Sequence, residues 1–504
     1  MRLNWFSPLP PAKSGIADYT VRLLPALTEC AEIVLWTDQE CWDLGLERYA
    51  EVCPYRLQDI SWAHVNRAVM SVLHIGNNHR LHGNIWQISQ CHPGLIVLHD
   101  SALQQLFAGL YREHWLDRAG YVGLMERYYG GVGRQDAEDF WGGRLTIQYM
   151  VQQYPLTRYA MEHALGVLLH SPQSWRELQR DSPCPLAYAP LPYPVSPHRA
   201  PAGGTAVSPG GEESPFRLIM FGHIGDNRRL VPVLQALAEM PERHWFHLDI
   251  YGELWDRLWV CQRVEALGLQ DLVTLHDFVP AEELEAALAS AHLALNLRFP
   301  TMGEASVSQL QIWDHALPSL VSRVGWYATL PPKTVGFVRI DHEITDLQMH
   351  LRALLADPSD YRKIGQNGRR WVESRHTPFG YVQALIGLVQ EAVAFRPYSV
   401  ARDLGGRVES ELHRWTNLSA PMFPAYPWNQ LDCEPSESGM RQQVLPTAEN
   451  RHLEALERMR QLLSDQSRRL QRQLSTGIYS LHRAASQELH LPEQEERLNP
   501  GPPP

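Results

Sequence analysis

Short apolar runs alternate with longer amphipathic stretches through most of the 504-residue chain. In the first half the runs recur at Leu3 to Phe6, Glu32 to Thr37, Met70 to Ile75, Leu95 to His99 and Leu165 to His170, with helix-period segments between several of them. That alternation predicts a parallel sheet covered by helices. A second set begins abruptly at Phe216 and continues at Phe246 to Tyr251, Leu272 to Leu275, Leu293 to Leu297, Ser319 to Ser322 and Val335 to Ile340. The periodic segments Ile344 to Leu355, Tyr361 to Glu373 and Tyr381 to Phe395 close this set as helices. Between the two sets, residues 196–215 are rich in Pro, Gly and Ser and read as a flexible linker. The expected organisation is therefore two α/β domains, residues 1–195 and 216–396.

The pattern changes beyond Pro397. Residues 397–446 are aromatic and punctuated by proline, which predicts a wrapping arm. Residues 447–490 form a charged amphipathic segment, in which Thr447 caps a long helix to about Leu474. Leu456, Leu463 and Leu470 are spaced by seven there, but Arg460 and Ser467 thin the seam. Self-association through this helix and packing on its own protein both fit. The tail, residues 491–504, is expected to be disordered.

Composition narrows the function. An apolar share of 44% and a charged share of 20% are those of a globular protein. The formal charge of -11 argues against a nucleic-acid partner, which would call for a basic stripe. The seven cysteines are scattered without a C-x-x-C pair, so they read as buried thiols in a reducing compartment, with no structural metal. The N-terminus lacks a signal-peptide core, and no apolar window is long enough to span a bilayer. A cytoplasmic protein is expected, with peripheral contact at the inner face of a membrane left open.

Candidate chemistry gathers in the loops that follow predicted strands, at the edge where open α/β sheets bind ligands. The first such loop runs from Ser7 to Tyr19 and brings Gly15 to a helix entrance, where backbone can approach a ligand closely. It is neither G-x-G-x-x-G nor a Walker loop. Asn77 and Asn78 end the third run in small polar side chains, and His99 and Asp100 end the fourth. His99 either donates to a ligand hydroxyl or is satisfied by Asp100. In the second half, Gly222 and His223 open a glycine-punctuated loop that carries Arg228 and Arg229 to a helix mouth, where two guanidinium groups would suit a diphosphate. The segment from Arg298 to Ser306 delivers Glu304 to another helix start. That carboxylate can bind sugar hydroxyls or simply cap its helix, since acidic groups are favoured in first turns. The stretch from Leu103 to Tyr129 interleaves aromatic residues with Arg112, Arg118 and Arg127. Its acids Glu113, Asp117 and Glu126 blunt the charge, so packing is favoured over a membrane or acceptor surface.

Taken together, W-F-S-P-L-P-P-A-K-S-G-I-A-D-Y, the G-N-N turn, L-H-D, F-G-H-I-x-x-N-R-R and R-F-P-T-M-G-E-A-S followed by V-G-W resemble the retaining glycosyltransferases of family 4. The resemblance covers residues 1–395 and implies the GT-B fold, α/β, with two Rossmann-like domains facing across a cleft, here with a C-terminal extension that includes a long helix. It implies a donor nucleotide diphosphate sugar held mainly by the second domain and a glycan or lipid-linked acceptor held mainly by the first, near Asn77, Asn78 and Asp100. Gly15 would then lie beside the donor phosphates and His99 would face the transferred sugar. Arg228 would neutralise the leaving diphosphate, and Glu304 would bind the sugar. Gly303 and the helix-start backbone at Ala305, Ser306 and Val307 would complete the donor site.

Three departures from the family pattern stand out. His223 occupies the place of a phosphate-binding arginine, so charge stabilisation would rest on Arg228 and Arg229. The second carboxylate of E-x7-E is replaced by Ile312, and Asp314 lies too far around the helix to inherit its contact. Glu253 is the substitute on offer for nucleotide recognition. No Asp-x-Asp occurs, which favours metal-independent transfer with no cofactor beyond the nucleotide sugar. A second reading is a catalytically weakened relative that binds glycans or protein partners.

Overall fold

The computed structural model describes residues 1–113, 117–196 and 215–416. Most of the linker, the arm beyond 416, the 447–490 helix and the 491–504 tail lie outside the described residues.

Two wholly parallel sheets carry the fold. The first contains β1 (Arg2–Phe6), β2 (Glu32–Thr37), β3 (Glu51–Pro54), β4 (Met70–Ile75), β5 (Leu95–Leu98), β6 (Gly166–Leu169) and β7 (Leu186–Tyr188), in the order β3-β2-β1-β4-β5-β6-β7. The second contains β8 (Phe216–Phe221), β9 (Phe246–Tyr251), β10 (Val273–Leu275), β11 (Leu293–Asn296), β12 (Ser319–Ser322) and β13 (Gly336–Val338), in the order β10-β9-β8-β11-β12-β13. The central strands are buried along their whole length, because helices cover both faces; hence the continuous apolar runs. Two short edge strands, β3 and β7, escape the apolar pattern because each is only half-buried.

Each sheet reverses its strand order once, between β1 and β4 and between β8 and β11. A crevice opens at such a reversal, beyond the carboxyl ends of the strands. The loops after β1, β4, β8 and β11 are therefore the ones that geometry offers to a ligand.

The last helix corrects the predicted organisation. It runs from Pro378 to Thr416, through Pro397, so the expected boundary at 397 falls inside it. A proline inside a helix removes one hydrogen bond, which is why the sequence suggests a break there. The segment from Tyr381 to Phe395 also does not complete the second sheet. Its buried stripe of Tyr381, Leu385, Leu388, Val389 and Ala392 joins the core of the first sheet with Trp5, Leu23 and Val97. Gly166 makes room for this return: a Cβ there would lie 3.3 Å from Leu388.

The expectation of buried thiols is corrected as well. Cys30, Cys41, Cys91 and Cys261 are exposed, and Cys184 is buried. The aromatic stretch after Leu103 packs inward as expected, with Leu106, Phe107, Leu110, Tyr111 and Tyr121 buried in one cluster. Among the described residues, no helix is long and apolar enough to cross a membrane.

Backbone contacts join the two sheets. Met302 O accepts from Ser101 N at 2.8 Å and Ala102 N at 2.9 Å. Gly303, at φ +78°, packs so closely that a Cβ would lie 1.8 Å from Ser101 Oγ. Asp314 is buried and holds the connecting segment: Ser196 N donates to it at 3.1 Å, and Arg369 lies 3.4 Å away. This residue is committed to structure, in keeping with its place far around the helix from the missing second glutamate.

Candidate active site

A pocket of about 270 Å³ opens where the two sheets face each other. Gly15 comes from the β1 loop, Asn77 and Asn78 from the β4 loop, His99 and Asp100 from the end of β5, and Glu304, Ala305 and Val307 from the β11 loop. Residues far apart in sequence thus converge because three strand ends of one sheet and one of the other point at the same space. Ser14 caps the first helix, accepting from Ile16 N at 3.2 Å, which leaves Gly15 in its first turn with open space around it.

Glu304 does not cap its helix. Ser306 does so, with Oγ accepting from Gln309 N at 3.1 Å, and the helix itself runs Val307–Asp314. The Glu304 carboxylate is instead held by its own loop: Oε2 accepts from Thr301 Oγ1 at 2.9 Å and Met302 N at 2.7 Å. Oε1 lies 3.3 Å from Arg298 Nε. An ionised carboxylate offers about four lone-pair sites, so capacity remains for a ligand hydroxyl.

His99 and Asp100 do not pair in the described hydrogen bonds, and Asp100 instead accepts from Asn77 N at 2.8 Å. Burial pushes the Asp100 carboxyl up to about 7, and the nearby Glu304 charge adds to the rise. His99 Nε2 lies 2.9 Å from His74 Nδ1, and burial holds the His99 pKa well below the ordinary histidine range.

The second-sheet arginines play different parts. Arg228 is buried at the strand-order reversal, with Nη1 on Asn296 Oδ1 at 3.0 Å and Nη2 on Phe221 O at 2.8 Å, while its Nε has no partner. Burial, and then the repulsion of Arg298, bring its pKa down to about 9, so it still carries its charge at neutral pH. Among the described residues no carboxylate pairs with it directly. Arg229, in contrast, is spent: its Nε lies 2.8 Å and 3.1 Å from the two oxygens of the buried Glu343. The expected sharing of an anion between Arg228 and Arg229 is therefore corrected, because a guanidinium already neutralised by a carboxylate offers little to a phosphate.

His223 and Glu253 are exposed and 3.8 Å apart at the mouth of β8 and β9. Gly252, at φ +117°, allows these loops to touch, because a Cβ there would lie 2.2 Å from Gly222 O; Gly222 itself is at φ +100° with open space around it. None of these four lines the pocket that holds Glu304. Ile312 is buried among apolar neighbours, so the absent glutamate leaves a core contact in its place.

Sequence reading missed the support beneath the site. Asn296 and Gln309 link Arg228 to the helix, with Asn296 Nδ2 on Gln309 Oε1 at 3.0 Å and Gln309 Nε2 on Ser319 Oγ at 2.8 Å. His74, His82, His170 and Tyr19 gather behind His99. Polar residues inside the apolar runs of β4 and β11 were the available signal.

Two other features lie away from this pocket. A cavity of about 600 Å³ on the side of the first sheet is lined by Tyr128, Tyr129, Arg158, His163, Glu177 and Arg402 among others; Ser101, which abuts Gly303, is its link towards the cleft. Glu51, Cys53 and His64 bring potential metal-ligating atoms within 4.8 Å of one another. Arg2 already fills that cluster, with Nη2 3.0 Å from Glu51 and 3.1 Å from His64.

No family model and no curated protein sequence matches the chain. Solved structures do match its fold. HepE from Anabaena, in complex with UDP and glucose, is similar at a TM-score of 0.52 and 14% identity, over 77% of this chain and 99% of that one. Sucrose-phosphate synthase from Thermosynechococcus elongatus is similar at a TM-score of 0.52 and 16% identity, over 81% of this chain and 100% of that one. HepE is also described in complex with UDP-glucose, at a TM-score of 0.51 and 12% identity, over 77% and 99% of the two chains. The two parallel sheets and these likenesses define the class: the chain has the GT-B fold, as the resemblance in its motifs implied.

Proposed function

We propose that this protein is a retaining, family-4-type glycosyltransferase that moves a hexose from a nucleotide diphosphate sugar to a hydroxyl of a glycan or lipid-linked acceptor. The observation that carries the proposal is the convergence of Gly15, His99 and Glu304 on one pocket between two strand-order reversals, with the buried charge of Arg228, hydrogen-bonded to the neutral oxygens of Asn296 and Phe221, outside its lining. The Glu304 carboxylate favours that charge without a direct ion pair, and a buried cation gains from an anion in contact. A diphosphate supplies that anion. The complexes of HepE with UDP and UDP-glucose make a uridine nucleotide the first donor to try.

In the reaction we propose, Glu304 fixes sugar hydroxyls, and Arg228 with the backbone N–H groups at Ala305, Ser306 and Val307 stabilises the departing diphosphate. Gly15 lets the first helix approach the phosphates without a side chain between. The acceptor hydroxyl, bounded by Asn77, Asn78 and Asp100, attacks from the face the diphosphate leaves, forming the new C1–O bond as the C1–O bond to the diphosphate breaks and passing its proton to the departing diphosphate oxygen. Holding the two reactants in register and stabilising developing charge are the two large terms available to such a site. No protein nucleophile is invoked.

A turnover screen tests this reading. Wild-type protein with UDP-, GDP- and ADP-linked sugars should release nucleoside diphosphate with at least one donor, and Glu304→Ala should lower that release by roughly 10²–10³-fold. The exposed His223–Glu253 pair and the buried Ile312 favour the alternative, a catalytically weakened glycan-binding protein. Glycan binding without release from any donor would select it.

A further inference from the structure

His74 lies fully buried on β4 behind the pocket, between Trp5 at 4.3 Å and Tyr19 at 5.5 Å centroid distance. Its Nδ1 is 2.9 Å from His99 Nε2, and its own Nε2 has no hydrogen-bond partner. Two further histidines complete the cluster. His82 Nδ1 donates to His74 O at 3.0 Å, and His170 Nδ1 donates to Ala189 O at 3.0 Å. A carbonyl only accepts, so both rings carry a proton on Nδ1.

Burial keeps the cluster neutral: it takes His82 and His170 down to about 4 and His74 and His99 well below the ordinary range. A neutral imidazole has one N–H, so one proton lies between His74 Nδ1 and His99 Nε2 and its owner fixes both tautomers. Were it on His99, His74 would carry its proton on Nε2, a buried N–H aimed at no acceptor. Orphaned buried donors are rarer than under-satisfied acceptors. The cluster already tolerates a bare acceptor, because His170 Nε2 is buried, unprotonated and unpartnered. With the proton on His74 Nδ1, His99 must carry its own on Nδ1. That nitrogen has no protein partner among the described residues, and His99 lines the pocket.

We infer that His74 is a positioning residue that locks His99 in the Nδ1–H tautomer, so that the pocket offers a neutral N–H donor to an oxygen acceptor of the bound molecule. The ligand half of this inference, an oxygen of the donor sugar, rests on the proposed function. The tautomer half does not, so the two fail separately.

Long-range ¹H–¹⁵N spectra of histidine-labelled protein at pH 7.5 read the tautomers directly. We expect His74, His82, His99 and His170 all to show a protonated Nδ1 and a bare Nε2. A His99 proton on Nε2 overturns the inference whatever the activity. Two variants carry the second arm. His74→Leu removes the donor and should mix the His99 tautomers, raising KM for the donor sugar several-fold with a smaller change in kcat. His74→Asn can present an amide N–H at the place of Nδ1 and should restore both readouts. If the two variants fold, by unchanged near-UV circular dichroism, yet behave alike, His74 is packing only. Should no nucleotide sugar turn over while the wild-type tautomers come out as expected, the positioning stands and the proposed function falls.

Discussion

Glu304 and Arg228 divide the work of the pocket at the scale of single residues. Glu304 is fixed by Thr301, Met302 and Arg298 without being consumed as a helix cap, so its removal should cost function more than fold. Glu304→Ala should lower turnover by roughly 10²–10³-fold, the range for a lost transition-state contact. Its midpoint of thermal unfolding should stay within a few degrees of wild type. Asp100 gives a second test, in pH. Its folded pKa, about 7, exceeds the ordinary 3.8, so the folded state binds the extra proton between those values. The stability it contributes is present in acid and is lost as pH rises from about 4 to 7. Asp100→Asn keeps an acceptor for Asn77 N and should therefore gain stability relative to wild type at pH 8 but not at pH 4. Parallel denaturant curves at the two pH values measure the difference, and an equal shift at both contradicts it.

Short elements explain what could be read from the sequence. Strands β4, β5, β11 and β12 are buried on both faces, so their apolar runs announce them; β3 and β7 are half-buried at the sheet edges and do not. The loops bearing Gly15, His99 and Glu304 were legible because each follows such a run and precedes a helix. Side-chain partners were not legible. Nothing in the Arg-Arg pair says that Arg229 belongs to Glu343, 114 residues away, while Arg228 turns inward to Asn296. The helix that follows Glu304 starts at Val307 rather than Ala305, because the Ser306 hydroxyl satisfies Gln309 N. Ser306→Ala should cost about 1 kcal/mol, as for other lost N-caps. It should also weaken donor binding, since Ala305 and Val307 frame the pocket.

Chain return is the lesson at the scale of the whole molecule. The stripe of Tyr381, Leu385, Leu388, Val389 and Ala392 has an ordinary helical period, and period alone does not say which sheet buries it. In the structure it crosses back to the first sheet, so the domain that holds Gly15 and His99 is built from segments near both ends of residues 1–416. Leu385→Ala should destabilise by about 2–5 kcal/mol, as for a fully buried leucine. Chemical unfolding followed by Trp fluorescence checks this. The buried histidines add a global pH dependence. Their folded pKa values lie below the ordinary 6.5, at about 4 for His82, His170 and His376, so the unfolded chain takes up protons first. Their contribution is present above pH 6.5 and is lost as pH falls towards 4. Several histidines act against two aspartates there, Asp38 and Asp100, so net stability should fall on the acid side.

The central claim is that the pocket between the two strand-order reversals holds a nucleotide sugar, with Arg228 on the diphosphate and Glu304 on the sugar. Calorimetric titration separates these parts in one measurement on wild type, Glu304→Ala and Arg228→Gln. The account predicts saturable binding of at least one nucleotide diphosphate sugar, weakened in both variants, and binding of the matching nucleoside diphosphate weakened only in Arg228→Gln. No heat from any nucleotide or nucleotide sugar at high micromolar concentration, or equal loss of the nucleoside diphosphate in both variants, would contradict it.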